Sequence, residues 1–252
     1  IAIDGSPLTI RRRIAGLIEE MSGSEIEPGL ARRIVEVTSR DQFWLGLYET
    51  DLATSLMATQ ADEPMAPAEL FECAAVIGDI VDVRTGRDNG RGRRVADLAH
   101  RLSIAVGLGA RRADLVKLAA LLQDIGTLGV PVQLLHKPDI LTIEEMAIMQ
   151  QHPTFARDIL SEVPGLGAAA WWVGCHHERV DGKGYPGMLQ GDEVPIEAQV
   201  IGMSEAYDAL TSDRPYRRAM LPADAIQVMR GLAGTRFSPD LLDRFEAVVS
   251  LF

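Results

Sequence analysis

Cysteine is nearly missing from this 252-residue chain: only Cys73 and Cys175 occur, and neither belongs to a CxxC pair. That excludes a disulfide framework or a thiolate zinc site and makes a reducing cytoplasm the expected location. Long hydrophobic runs are missing too. No stretch of about 18 apolar residues exists, so no membrane span is expected. Positive charge is scarce, with 25 Lys and Arg against 36 Asp and Glu and a formal net charge of -11. A long nucleic-acid backbone needs a concentrated basic face, so a nucleic-acid polymer is not the expected partner. A small anion needs only two or three local donors, and the cluster Arg214, Arg217 and Arg218 keeps that class open. The chain opens at Ile1, without an initiator Met and without a charged-then-apolar leader, which leads us to expect a piece trimmed from a longer protein.

What is present is an ordinary globular composition, 47% hydrophobic and 24% charged, enough for a real core. Helical spacing dominates and strand alternation is scarce, so the expected fold class is all-α. Ile10, Ile14, Leu17 and Ile18 mark one helix, Leu30, Ile34 and Val37 a second, and the apolar pattern continues through Phe43 to Leu56. The segment ADEPMAP, residues 61–67, then interrupts it. Its prolines and acids predict a boundary between an N-terminal helical extension, residues 1–66, and a main domain, residues 67–252. Within that domain Leu70 to Val81, Val95 to Leu102 and ADLVKLAALLQDIG read as helices, with Asp124 in the last turn of the third. Thr142 and Glu145 form a capping box opening a helix that carries His152. The apolar segment from Ala168 delivers His176 and His177 at its end, and helices over Val200–Leu210, Ala223–Leu232 and Leu241–Val249 complete the domain.

The segment HHERVDGKGYPGML, residues 176–189, is the strongest mark of a polar site. Adjacent imidazoles point their nitrogens in diverging directions, which suits metal or phosphate better than apolar packing. Asp124, His152, His176, His177 and a carboxylate from Glu205 or Asp208 are scattered in sequence, but each falls within or at the end of an expected helix. Imidazoles and carboxylates from several helices are how bundles hold Fe, Mn or Zn ions, which activate water and neutralise charge on a phosphodiester. Singly, His152 also reads as a plain helix histidine and Asp124 as a helix cap. Trp171 and Trp172 read as core packing, and His100 and His136 as surface residues.

The ordered segments QDIGTLGVP, LLHKPDILTIEEMAIMQQHP, HHERVDGKGYPGML and SEAYDALTSDRPYRRA resemble the HD-GYP family across roughly residues 70 to 245. The resemblance implies an HD-GYP-type helical bundle, a member of the HD metal-dependent phosphohydrolases, which hydrolyse the bacterial messenger cyclic di-GMP. It places family metal ligands at Asp124, His152, His176 and His177, with Glu205 where an aspartate is usual. It implies that Lys183 and Tyr185 belong to the ligand-ordering loop, and that Arg214 and Arg217 contact ligand phosphates.

The departures from the pattern cluster. The histidine naming the HD motif is Gln123, the following lysine is Thr127, and the upstream ligand histidine aligns with Arg91; Arg87 aligns with a carboxylate that some members carry. A carboxamide ligates a divalent ion poorly and a guanidinium cannot ligate at all. At most one divalent ion (Fe, Mn or Zn type) is therefore expected, with none as the other outcome. Arg91 either sets its fixed charge against Asp124 or Glu205 or points to solvent from a glycine-rich loop. Met188 stands where a glycine is usual. The expected function is a binding or regulatory module for cyclic di-GMP or a related small phosphodiester, with weak or absent phosphodiesterase activity. An active metal-dependent phosphodiesterase and a purely structural domain, dimerising through the helical extension, are the alternatives.

Overall fold

The structure, a computed structural model, describes residues 7–24, 26–40, 66–86, 90–213 and 218–250, with side chains from residue 13 onward. The chain separates into two compact units, residues 1–64 and 65–252. In the first, helices α1 (Pro7–Met21) and α2 (Pro28–Thr38) pack on each other. The Glu27 carboxylate caps α2 by accepting the N–H groups of Gly29 and Leu30, each at 2.8 Å. The continuation expected through Phe43 to Leu56, and residues 61–65 of the expected boundary, lie outside the described residues.

The second unit is all-α: α3 (Pro67–Arg84), α4 (Arg91–Ala105), α5 (Ala110–Leu122), α6 (Val132–Leu135), α7 (Ile143–Met149), α8 (His152–Ser161), α9 (Gly167–Gly174), α10 (Ile196–Thr211), α11 (Pro222–Arg230) and α12 (Pro239–Val249). Among the described residues β pairing is limited to isolated bridges, and no helix is long and apolar enough to cross a membrane. Helices α4 and α5 form the centre. Val95, Ala96, Ala99 and Leu102 repeat along one face of α4 and are fully buried, while Ala113, Val116, Ala119 and Ala120 do the same on α5. The small alanines bring the two backbones together, and α3, α10 and α12 pack around α4.

Three local departures from the expected helices build the site. Helix α5 stops at Leu122, so Asp124 is not in a last helical turn but at the joint before a 3-10 turn, Ile125–Gly129. This turn lies so close to α8 that a Cβ on Gly126 would stand 1.9 Å from the His152 carbonyl oxygen, which only glycine tolerates. His152 is not carried by the helix that Thr142 caps. That helix ends at Met149, and His152 opens α8, with Pro153 in its first turn where a missing N–H costs nothing. Likewise α9 ends at Gly174, and His176 and His177 stand in the turn beyond it. Helix α10 packs against that turn through Gly202, whose Cβ would lie 2.3 Å from the His176 carbonyl oxygen. Glu205 follows less than one helical turn later on α10, which places its carboxylate beside the histidines.

Candidate metal and phosphodiester site

His152, His176 and His177 converge so that one ligand atom from each lies within 4.8 Å of the others. The Nδ1 of His152 is 2.9 Å from the Met149 carbonyl oxygen and that of His176 is 2.5 Å from the Val173 carbonyl oxygen. A carbonyl can only accept, so Nδ1 donates in both rings and Nε2 of a neutral ring is left with a bare lone pair. Both Nε2 atoms are buried and have no hydrogen-bond partner among the described residues. Two carboxylates complete the set. Asp124 Oδ1 is 3.9 Å from His152 Nε2, and Glu205 Oε2 is 3.8 Å from His177 Nδ1. Three imidazoles with carboxylates fit a first-row divalent ion, so the residues present suit one such ion.

Beside this set lies a guanidinium. Arg91, 3% exposed, is not on a solvent-facing loop but at the first position of α4. Its Nη1 is 2.5 Å from Asp124 Oδ2, its Nη2 2.6 Å from Glu205 Oε1, and its Nε 3.9 Å from Asp208 Oδ2. Arg94, one turn along, donates from Nε to Asp208 Oδ1 at 2.7 Å. Asp82 holds the start of α4 by accepting the Gly92 N–H at 3.0 Å. Among the described residues, three carboxylates here face two guanidinium groups.

The electrostatics follow from burial and these charges. Burial and the neighbouring His176 push the His152 imidazole below 6.5, and the same two influences push His177 well below it, so both rings are neutral and able to ligate at neutral pH. Burial alone would raise the Glu205 carboxyl, but the charge of a protonated His177 and the permanent charge of Arg91 work against it, and with His177 neutral the Arg91 guanidinium at 2.6 Å is what keeps the group below the usual carboxylate range. Burial works against the Arg91 charge, yet Asp124 and Glu205 keep it protonated at every accessible pH. Gln123 is 1% exposed, and neither atom of its carboxamide has a hydrogen-bond partner among the described residues.

The turn after the histidines is held by Glu178, whose buried carboxylate accepts the N–H groups of Gly187, at 2.5 Å, and Leu189, at 3.0 Å. The Tyr185 ring lies 4.9 Å from that of His177. Lys183 is exposed, with its backbone N–H bonded to Asp181. Met188 adopts φ 54°, the left-handed region that a glycine would occupy without strain. Arg87, Arg214 and Arg217 lie outside the described residues. Trp172 is in the core, but Trp171 is 46% exposed, because the short α9 turns only one of two adjacent positions inward. His100 pairs with Asp114 and the exposed His136 bonds the Arg84 carbonyl oxygen, both away from the site.

Sequence reasoning missed Asp82, Arg94 and Glu178. Glu178 sits directly after the histidine pair, and a carboxylate preceding a glycine-rich turn, whose N–H groups need acceptors, was the available signal.

A family model described as an HD domain matches residues 75–241. The chain is 30% identical over 224 residues to 3'3'-cGAMP-specific phosphodiesterase 1 of Vibrio cholerae, covering 87% of this chain and 52% of that protein. It is 34% identical over 178 residues to a cyclic di-GMP phosphodiesterase of Thermotoga maritima, covering 70% of this chain and 48% of the other. The chain thus spans about half the length of these curated relatives. A crystal structure of a cyclic GMP-AMP specific phosphodiesterase from V. cholerae superposes with a TM-score of 0.51 and 26% identity, over 96% of this chain and 56% of that one. The helical core, the converging histidines and the loop that follows them thus take their place in a known lineage: the chain belongs to the HD-GYP type of the HD-domain family.

Proposed function

We propose that this domain binds a cyclic dinucleotide at a centre holding at most one divalent ion, and that its phosphodiesterase activity is weak or absent. The observation that carries this reading is the Arg91 guanidinium lodged between Asp124 and Glu205. His152, His176 and His177 would hold the ion with Asp124 or Glu205, and such an ion supplies Lewis acidity toward a phosphodiester oxygen. Arg91 does the electrostatic work of a second cation toward the carboxylates but cannot ligate or activate water. Its Nη1 and Nη2 are engaged by Asp124 and Glu205, which orients the guanidinium toward the carboxylates. Gln123, next to Asp124, adds neither a strong ligand nor a charge.

Lys183, Tyr185, Arg214 and Arg217 would engage the dinucleotide, and the family relatives' names supply two probes, cyclic di-GMP and 3'3'-cGAMP. The intact histidine set favours a second reading, residual hydrolysis of the same ligands. Metal analysis of the purified chain, calorimetric titration with both dinucleotides and a turnover assay separate these. Binding with at most one ion per chain and little turnover supports the proposal; robust hydrolysis with two ions contradicts it. No binding of either dinucleotide leaves a structural domain, for which residues 1–66 would serve as the dimerising element.

A further inference from the structure

Asp124 and Glu205 are each divided between two neighbours. Oδ2 of Asp124 is 2.5 Å from Arg91 Nη1, while its Oδ1 is 3.9 Å from His152 Nε2. Glu205 repeats the arrangement, with Oε1 2.6 Å from Arg91 Nη2 and Oε2 3.8 Å from His177 Nδ1. The planar guanidinium fork thus takes one oxygen of each carboxylate and turns the other toward the imidazoles. Two donors each about 2.1 Å from one ion stand roughly 3 to 4 Å apart, so the inward oxygens have the spacing of ligands that share an ion with the histidines. The fork is fixed where it is: Arg91 is buried, and Asp208 Oδ2 stands 3.9 Å from its Nε.

We propose that Arg91 sets the metal preference of this centre: by occupying their outer oxygens it confines Asp124 and Glu205 to one oxygen each, and so selects an imidazole-preferring ion of the Zn2+ type over Mn2+. The inference rests on the reading that His152, His176 and His177 hold a divalent ion, and it adds which ion and by what means. Carboxylate oxygens suit Mn2+, whereas imidazole nitrogens suit Zn2+. Three imidazoles against two single oxygens make a nitrogen-rich donor set. The charge of Arg91 opposes any divalent ion alike, so it gives no preference; the oxygens that the fork withholds do.

The test is competition titration of the metal-free full chain with Zn2+ and Mn2+, Mn2+ being followed by electron paramagnetic resonance, for the original protein, Arg91→Met and Arg91→Lys. In Arg91→Met the ratio of Zn2+ to Mn2+ affinity should fall about tenfold, because each carboxylate regains a second oxygen for the ion. Arg91→Lys keeps the charge without the fork and should lower the ratio as well. A purely electrostatic role moves both affinities together, and an unchanged ratio in both variants overturns the inference. X-ray absorption of the Zn2+-loaded original protein decides the matter even where a variant does not fold. Three imidazoles with singly bound carboxylate oxygens are expected, and a carboxylate bound through both oxygens overturns the inference. No ion bound by the original protein overturns it too, but leaves the proposed function standing if calorimetry shows cyclic di-GMP binding. Two ions per chain overturn both.

Discussion

Arg91 Nη1 stands 2.5 Å from Asp124 Oδ2, so a permanent cation occupies one side of the carboxylate proposed above as a metal ligand. The same guanidinium reaches Glu205, and all three side chains are buried. Replacing Arg91 by Ala removes the guanidinium that Asp124, Glu205 and Asp208 share. Removing one partner of a buried ion pair costs about 3–5 kcal/mol. The urea midpoint of Arg91→Ala should fall accordingly, and added Mn2+ or Zn2+ should recover part of the loss; a midpoint equal to that of the original protein would contradict this.

Gly126→Ala is the corresponding test of the backbone. Its Cβ would press within 1.9 Å of the His152 carbonyl oxygen, and backbone cannot yield as a flexible side chain can. A destabilisation above about 3 kcal/mol is expected, with Asp124 and His152 displaced together. Denaturant unfolding and metal content should therefore fall in parallel.

Met188→Gly should act in the opposite direction. At φ 54° a side chain is strained by about 1–2 kcal/mol, partly offset by the greater freedom glycine has when unfolded. Met188 is 70% exposed, so little packing is lost. A net gain of roughly 0.5–1 kcal/mol is expected in the same unfolding assay.

Asp181 gives a pH signature in the loop. The Arg179 guanidinium and the Lys183 N–H lower its carboxyl from 3.8 to about 2. A depressed folded-state value means that the contribution to stability is complete above pH 3.8 and lost as the pH falls toward 2. NMR titration should find the Asp181 carboxyl near 2, and Arg179→Ala should move it up toward 3.8.

The helical class was legible because the apolar spacing of α4 and α5 is regular, and the site residues stood out because ligating side chains recur at motif spacing. The ends of elements were harder to read. Pro153 signalled that α8 begins at His152, but the capping box ten residues earlier invites one continuous helix. The end of α5 before Asp124 has no local breaker until Gly126, and that glycine is needed for a contact with α8 nearly 30 residues away. Whether Arg91 faced solvent or the carboxylates depended on α4 meeting α10, a packing fact absent from the local pattern. Arg94 was passed over for the same reason, since its partners Asp208 and Ser212 lie more than 100 residues away.

The account stands most directly on the number of metal ions bound per chain before and after Arg91 and Gln123 are both replaced by His. The original protein is expected to hold at most one divalent ion, and the double variant to gain a second together with higher cyclic di-GMP turnover. Two ions and robust turnover in the original protein, or no gain of metal in the double variant, would contradict it.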